Sequence, residues 1–384
     1  MRGIYLDNGA TSFPKAPGVV ESMINFLSNI GANVNRGAYD SSFEAENIVF
    51  ETRELLCQLF HFDRPENVVF TKNITESLNV LIKGLVGEND HVIVSSMEHN
   101  AVMRPLNSLE KLGVEVSKIP CSKEGDLDFD DLKEHIRPNT KAVIMTHASN
   151  VCGTILDLEG VGRFCKEHHL AFIIDSAQSA GFLDVDIRRL NADAIAFTGH
   201  KGLFGPQGIG GFVIKDELAQ RLATLIEGGT GSLSEMEVQP DYMPDKFEAG
   251  TLNIPGIYGL NAALKYILDL GVDTIREREL QMVGYFLDGL GNMPQIEIIG
   301  KRSTEGRTAV VSIDIPGKDN GEVSHRLYRE YGISTRCGLH CAPSAHRTLG
   351  TFPRGTIRFS FSHFNRMEDA KHALDALYQI CRGH

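Results

Sequence analysis

Long hydrophobic runs are missing from this chain. No apolar stretch approaches the ~20 residues that cross a bilayer, and the N-terminus has no basic region followed by an apolar core. The expectation is a cytoplasmic protein with no membrane partner. An excess of positive charge is missing too: 38 Lys and Arg stand against 50 Asp and Glu, a formal net charge of -12. That balance argues against a nucleic-acid partner, because a phosphate backbone needs a basic face. Small molecules or proteins are the expected partners. The cysteines at 57, 121, 152, 165, 337, 341 and 381 are odd in number and lack the double-pair spacing of a zinc site. Most are expected to be reduced, inert thiols, and no metal is expected. Neither an internal repeat nor a low-complexity tract is present.

What is there describes a globular enzyme-sized chain. At 384 residues it exceeds what one core usually supports, so one large and one smaller domain are expected. From residue 67 strand and helix patterns alternate. Val68 to Phe70, His91 to Val94, Val114 to Ile119, Ala142 to Met145, Ala171 to Ile174 and Ala194 to Phe197 read as strands, with helical patterns between most of them. Repeated β-α units specify an α/β fold with a mainly parallel sheet covered on both faces. Near Gly271 the pattern changes to a long helix (Thr274 to Leu290), a strand (Thr308 to Ile315), a helix (Val323 to Tyr331), a last strand (Thr356 to Ser362) and a closing helix (Arg366 to Cys381). The expected division is a large α/β domain over 15–270 and a small α+β domain over 271–384, joined by segment 1–14.

Chemistry-bearing residues gather at the strand exits, where open α/β folds bind ligands. The apolar run Ala194 to Phe197 ends in Thr198-Gly199-His200-Lys201, and a lysine so placed suits a Schiff base. By itself it reads equally as a surface lysine. After the first strand, Thr71-Lys-Asn-Ile-Thr75 enters a helix whose amides and dipole suit a phosphate, or are simply capped by Asn73 or Thr75. Glu98-His99 follows the second strand, and His99 is either a ring-stacking or acid/base group or a hydrogen-bonded loop residue. Asp175 follows the apolar run Ala171 to Ile174 and needs a cation if buried, a role a protonated pyridine nitrogen fills. A phosphate site, a stacking His, an Asp and a Lys together suggest pyridoxal 5'-phosphate. Arg36, in the polar loop Asn33 to Gly37, reads as a solvated charge or an anion contact.

Taken in order, Tyr5-Leu-Asp-Asn-Gly-Ala-Thr, Glu98-His99, Ser149-Asn150 with Gly153-Thr154, Asp175-Ser-Ala-Gln178, Thr198-Gly-His-Lys201, Glu248-Ala-Gly-Thr251 and Arg336-Cys-Gly-Leu-His-Cys341-Ala span nearly the whole chain. This series resembles the class V aminotransferase family, and within it the group II cysteine desulfurases and selenocysteine lyases. The resemblance implies the pyridoxal-phosphate fold type I. It also implies that Lys201 carries the cofactor, Asp175 pairs with its ring nitrogen, Gln178 contacts the ring oxygen and His99 stacks on the ring. Thr75, Thr198 and His200 would hold the phosphate, with Thr251 from the second subunit of a homodimer. Asn150 would lie beside the cofactor and Arg358 would receive the substrate carboxylate through two parallel hydrogen bonds.

The implied reaction converts L-cysteine to L-alanine. Lys201 removes the α-proton, Cys341 takes the sulfur as a persulfide, and an acceptor protein or thiol collects it. L-selenocysteine is the alternative substrate, with which the cysteine matters less, and another class V transaminase or lyase, which needs no nucleophilic cysteine, the alternative activity. The chain departs from the family pattern in having Leu339 where a second His is frequent, Cys337 where a small hydroxyl residue is, and Asn35 where a His is. Cys337 and Cys341 are therefore expected either to form a reversible disulfide or to point apart.

Overall fold

The computed structural model describes residues 3–34 and 37–382, so Asn35 and Arg36 lie outside the described residues. In chain order, strand β1 (Ile4–Tyr5) leads through a turn-rich segment to helices α1 (Val19–Asn25) and α2 (Asp40–Phe60). The alternating region then runs β2 (Val68–Thr71), α3 (Ile74–Leu85), β3 (His91–Ser95), α4 (Asn100–Glu110), β4 (Glu115–Ile119) and α5 (Phe129–Glu134). It continues with β5 (Thr140–Thr146), α6 (Leu158–Glu167), β6 (Ala171–Asp175), β7 (Ala194–Thr198), β8 (Gly210–Ile214) and the short α7 (Asp216–Ala219). Helix α8 (Ile254–Leu270) breaks at Gly271, whose φ of 84° suits glycine, and α9 (Val272–Gly291) follows.

The six expected strands and the apolar stretch after Lys201 form one sheet in the order β2-β8-β7-β6-β5-β3-β4. Every pairing is parallel except those of β8, which runs antiparallel to both β2 and β7. All residues of β3, β6, β7 and β8 are buried, the reason they read as unbroken apolar runs rather than alternating ones. Helix α3 covers the sheet with Ile74, Leu78, Leu81, Ile82 and Leu85, a stripe at helical spacing. Asn73 caps its first turn by accepting from the Glu76 amide.

The C-terminal region builds a second, antiparallel sheet from β9 (Glu297–Ile299), β10 (Val310–Asp314), β12 (Arg336–Gly338) and β13 (Thr356–Ser360), in the order β12-β13-β10-β9. Helices α10 (Asn320–Tyr331), α11 (Pro343–Thr348) and α12 (Met367–Arg382) accompany it, and β11 (Ile333–Ser334) pairs in parallel with β1. Among the described residues no helix is long and apolar enough to cross a membrane.

The N-terminal segment laces the two sheets together. The Asn8 side chain donates to the Ser360 carbonyl at 2.9 Å, and the Gly9 amide to the Ser360 hydroxyl at 2.7 Å. A Cβ on Gly9 would stand 3.3 Å from the Arg358 guanidinium carbon, so a side chain there would crowd Arg358. Further along, the Ser12 amide donates to the His200 carbonyl at 2.8 Å, which ties the segment to the loop carrying Lys201.

Strand β2 is the edge of the large sheet, and its exposed backbone is closed by side chains. Glu248 accepts from the Phe70 amide and forms a buried ion pair with Arg53, 2.7 Å apart. This pair also fixes the backbone three residues ahead of Thr251. Breaking a buried pair from one side leaves an uncompensated charge, so Glu248→Ala should lower unfolding stability by about 3 to 5 kcal/mol. Denaturant unfolding monitored by circular dichroism checks this, and a loss below about 0.5 kcal/mol, the range of an ordinary surface change, contradicts it.

Candidate active site

The C-terminal ends of the parallel strands open on a cavity of about 450 Å³ lined by Thr75, His99, Asn150, Asp175, Gln178, Thr198, His200 and Lys201, with Asn73, Ile74, Thr146 and Ala177. Eight of the eleven site residues expected from the sequence thus share one cavity. The other three, Thr251, Arg358 and Cys341, stand elsewhere.

Lys201 lies three residues beyond β7, and Gly202 behind it permits the chain to pass the Ala180 carbonyl, which a Cβ would meet at 2.4 Å. Burial pulls the Lys201 ammonium down from its ordinary 10.5 to about 8, with Asp175 opposing part of that shift. Asp175 ends β6, is 2% exposed, and accepts from the Ala177 amide at 2.9 Å. Its carboxyl is pushed up by burial, against that hydrogen bond and Lys201. Glu98 lies fully buried alongside, accepting from the Ser95 hydroxyl and the Thr146 amide, and burial pushes its carboxyl up to about 8.

His99 is the N-cap of α4. Its Nδ1 accepts from the Ala101 amide at 3.0 Å, so the proton of the neutral ring sits on Nε2. Burial, then the Lys201 charge, pull it down to about 4, leaving the ring neutral at pH 7. His200 is also pulled down to about 4, chiefly by burial.

Two buried polar atoms of the cavity walls have no hydrogen-bond partner, the Thr198 hydroxyl and His200 Nδ1. They line the same cavity as the first turn of α3, where the earliest amides have no partner within the helix. A hydroxyl, an imidazole and a helix N-terminus suit a dianionic phosphate, and the buried carboxyl of Asp175 suits a protonated ring nitrogen. The residues therefore fit pyridoxal phosphate. Gln178 Nε2 donates to the Gly9 carbonyl at 2.9 Å, tying the N-terminal segment to the cavity wall.

Arg358 lies behind the cavity on β13, its side chain 3% exposed. One terminal nitrogen donates to Asp7 at 2.9 Å and the other to the Asn150 carbonyl at 3.0 Å, while Nε has no partner. Asp7 lies within the first quoted motif, yet no spacing in the sequence pairs it with residue 358. Arg336, directly opposite Arg358 in the β12–β13 register, is a second cation whose field reaches Lys201 and His99.

The loop carrying Cys341 is pinned to the large sheet. The Asn100 amide donates to the Cys341 carbonyl at 2.8 Å, and the Asn150 side chain donates to the His340 carbonyl at 2.7 Å. His340 Nε2 lies 3.0 Å from the Thr356 hydroxyl. His340 and Cys341 have φ of 46° and 57°, the left-handed region that non-glycine residues seldom occupy. The Cys341 thiol is exposed and free, and close enough for its charge to act on Lys201. Cys337 is free as well. It pairs with the core residue Ile357 on the sheet face opposite to Arg336 and Arg358, so strand alternation aims it away from the site.

Thr251 is exposed and lines a separate cavity of about 180 Å³ with Thr71, Lys72 and Phe247. Among the described residues no cluster of three or more His, Cys, Asp or Glu side chains could hold a metal ion.

The model of the Aminotransferase class-V family matches residues 4–372, and the chain belongs to that family. Fold type I is the architecture that its two sheets and connecting segment form. Among curated relatives, a probable cysteine desulfurase of Pyrococcus abyssi is 34% identical over 99% of this chain and 94% of its own length. A cysteine desulfurase of Haloferax volcanii is 32% identical over 97% and 88%. Of solved structures, the apo cysteine desulfurase of Thermococcus onnurineus superposes with a TM-score of 0.92 at 34% identity, covering 100% of this chain and 95% of that one. The Escherichia coli cysteine desulfurase CsdA gives 0.88 at 29%, covering 98% and 94%.

The depressed Lys201 amine has a direct consequence. Neutral, nucleophilic amine accumulates as the pH rises through about 8 rather than through 10.5. The rate at which apo-protein takes up pyridoxal phosphate, followed by absorbance, should therefore climb to a plateau above a midpoint near 8. A midpoint near the ordinary lysine value contradicts the environment described for Lys201.

Proposed function

We propose that this chain is a pyridoxal-phosphate-dependent cysteine desulfurase that converts L-cysteine to L-alanine and receives the sulfur on Cys341 as a persulfide. The observation carrying the reading is the doubly tethered, exposed Cys341, held by Asn100 and Asn150 at the strand ends that also present Lys201. A transaminase or simple lyase has no use for a thiol fixed there.

Pyridoxal phosphate, when bound, supplies an electron sink that stabilises negative charge at the substrate α-carbon. The chain's residues supply the rest. Thr198, His200, Thr75 and the first turn of α3 would hold the phosphate, Asp175 would keep the ring nitrogen protonated, Gln178 would address the ring oxygen, and the neutral His99 ring would stack on it. Lys201 Nζ, neutral in a useful fraction near pH 8, takes the α-proton. Arg358 orients the substrate carboxylate through Nε and a terminal nitrogen shared with Asp7 or Asn150, with Asn150 beside the cofactor. Cys341 thiolate then attacks the substrate sulfur; the new S–S bond forms as the C–S bond breaks, and the electron pair of that bond stays with the carbon fragment that leaves as alanine. A sulfur-acceptor protein or thiol discharges the persulfide.

The same reading takes residues 15–270 as the cofactor domain and 271–384 as the small domain, joined by 1–14. It also makes the protein a cytoplasmic homodimer in which Thr251 serves the second subunit's phosphate site. Exposed apolar stripes support a covering second copy: Val20 and Ile24 on α1 with Leu27 just beyond it, and Phe43 and Phe50 on α2.

Alanine release from L-cysteine and from L-selenocysteine, measured with wild type and Cys341→Ala, tests the activity. The expected result is cysteine turnover reduced at least a hundredfold in the variant. Turnover of selenocysteine alone, surviving the substitution, would make the protein a selenocysteine lyase, and no alanine from either would overturn the reading. Lys201→Ala should lose the cofactor's reducible visible absorption, and its retention would displace Lys201 from its role.

A further inference from the structure

The stretch that carries Cys341 is an electrostatic exception. From Tyr331 to Met367 there are five arginines and three histidines, while all 50 Asp and Glu of this acidic chain lie outside it. Arg354 and Arg358 are paired with Asp314 and Asp7, and burial holds His340, His346 and His363 low, which leaves Arg336 and Arg347 as the free charge flanking the cysteine loop in sequence. Arg336, five residues ahead, is exposed on edge strand β12, on the sheet face of Arg358, and has no carboxylate partner among the described residues. Arg347, on the helix that begins two residues after Cys341, is exposed and stacks 4.2 Å from the ring centre of Phe352, itself 42% exposed. Arg104 is exposed on α4, one turn beyond the Asn100 amide that holds the Cys341 carbonyl, and its charge reaches His99.

Exposed arginines with no carboxylate partner among the described residues, one of them stacked on an exposed aromatic, amount on a protein of net charge -12 to a local reversal of sign at the one place where sulfur must leave. The net negative charge of the body disfavours an acidic partner on average, whereas this rim attracts one. Guanidinium groups suit carboxylates, and a stacked Arg–aromatic pair is a frequent anchor in protein interfaces.

We propose that this arginine rim is the docking surface for a thiol-bearing acceptor protein whose receiving cysteine is flanked by acidic residues. The proposal rests on the desulfurase reading. On docking, the acceptor thiolate attacks the outer sulfur of the Cys341 persulfide. A bond forms between the acceptor sulfur and that outer sulfur, the bond from it to Cys341 Sγ breaks, and Cys341 departs as thiolate. The outer sulfur and its proton pass to the acceptor, with no net oxidation. Phe352 meets the apolar part of the acceptor surface while Arg104, Arg336 and Arg347 meet its carboxylates.

The test uses the cofactor-loaded enzyme with three acceptors: a peptide with one cysteine flanked by glutamates, the same peptide with lysines, and uncharged dithiothreitol. The rim predicts a kcat/KM about tenfold higher for the acidic peptide than for the basic one at low salt, with the gap closing as salt screens the charges. The double variant Arg104→Glu, Arg347→Glu should reverse the preference and leave dithiothreitol-supported alanine release unchanged. Equal use of the two peptides, or a preference unaltered in the variant, overturns the rim as a docking surface, including the case in which a second copy of the chain covers it. Absence of dithiothreitol-supported turnover in the wild type instead overturns the desulfurase reading beneath it.

Discussion

Asn150 joins the two halves of the site, and the arrangement of the chemistry depends on it. Its side chain holds the His340 carbonyl of the cysteine loop and its own carbonyl accepts from Arg358, while its backbone follows strand β5 of the large sheet. One residue thereby sets the position of the thiol and of the guanidinium relative to the cavity that holds Lys201. Losing its side-chain amide would release the cysteine loop, while the backbone carbonyl would still hold Arg358. The Asn100 amide on the Cys341 carbonyl adds a second fixed point, which is how a loop in left-handed backbone conformation is kept in place.

Around that joint the cavity is built of groups whose needs the protein alone does not meet. Asp175 is a buried carboxyl with one backbone donor, Lys201 is an amine in a low-dielectric wall, and Thr198 and His200 present unpartnered polar atoms. A flat ring with a protonatable nitrogen at one end and a phosphate at the other satisfies these together. The fully buried Glu98 stands behind them, anchored to Ser95 and Thr146. Each of these groups is costly in isolation, and such clustering is characteristic of a prepared binding site rather than of a core.

How much of this was legible in the sequence follows from range. Strands buried on both faces read as apolar runs, so β3, β6 and β7 stood out from local pattern alone, whereas the Asp, His and Lys at or beyond their exits were marked only as a set and by the family motifs. The helix boundary at Gly271 was likewise local. What was hidden lies in pairings across hundreds of residues. Nothing near Arg358 announces Asp7, and the register that sets Arg336 beside it belongs to the sheet rather than to either segment. The fate of Cys337 is a further case: its spacing from Cys341 invites a disulfide, but strand alternation turns it toward the face of Ile357. The Asn100 contact uses a backbone amide, and no side-chain pattern could have marked it.

The central claim is that the tethered Cys341, and no other thiol, receives the substrate's sulfur. Mass spectrometry of the protein's cysteine-bearing peptides, after a single equivalent of L-cysteine is added to cofactor-loaded enzyme without any acceptor, addresses it directly. The account predicts one additional sulfur atom on the peptide containing both Cys337 and Cys341, assigned by fragmentation to Cys341. Sulfur retained on Cys337 instead, or alanine released with no sulfur on any cysteine, would contradict it.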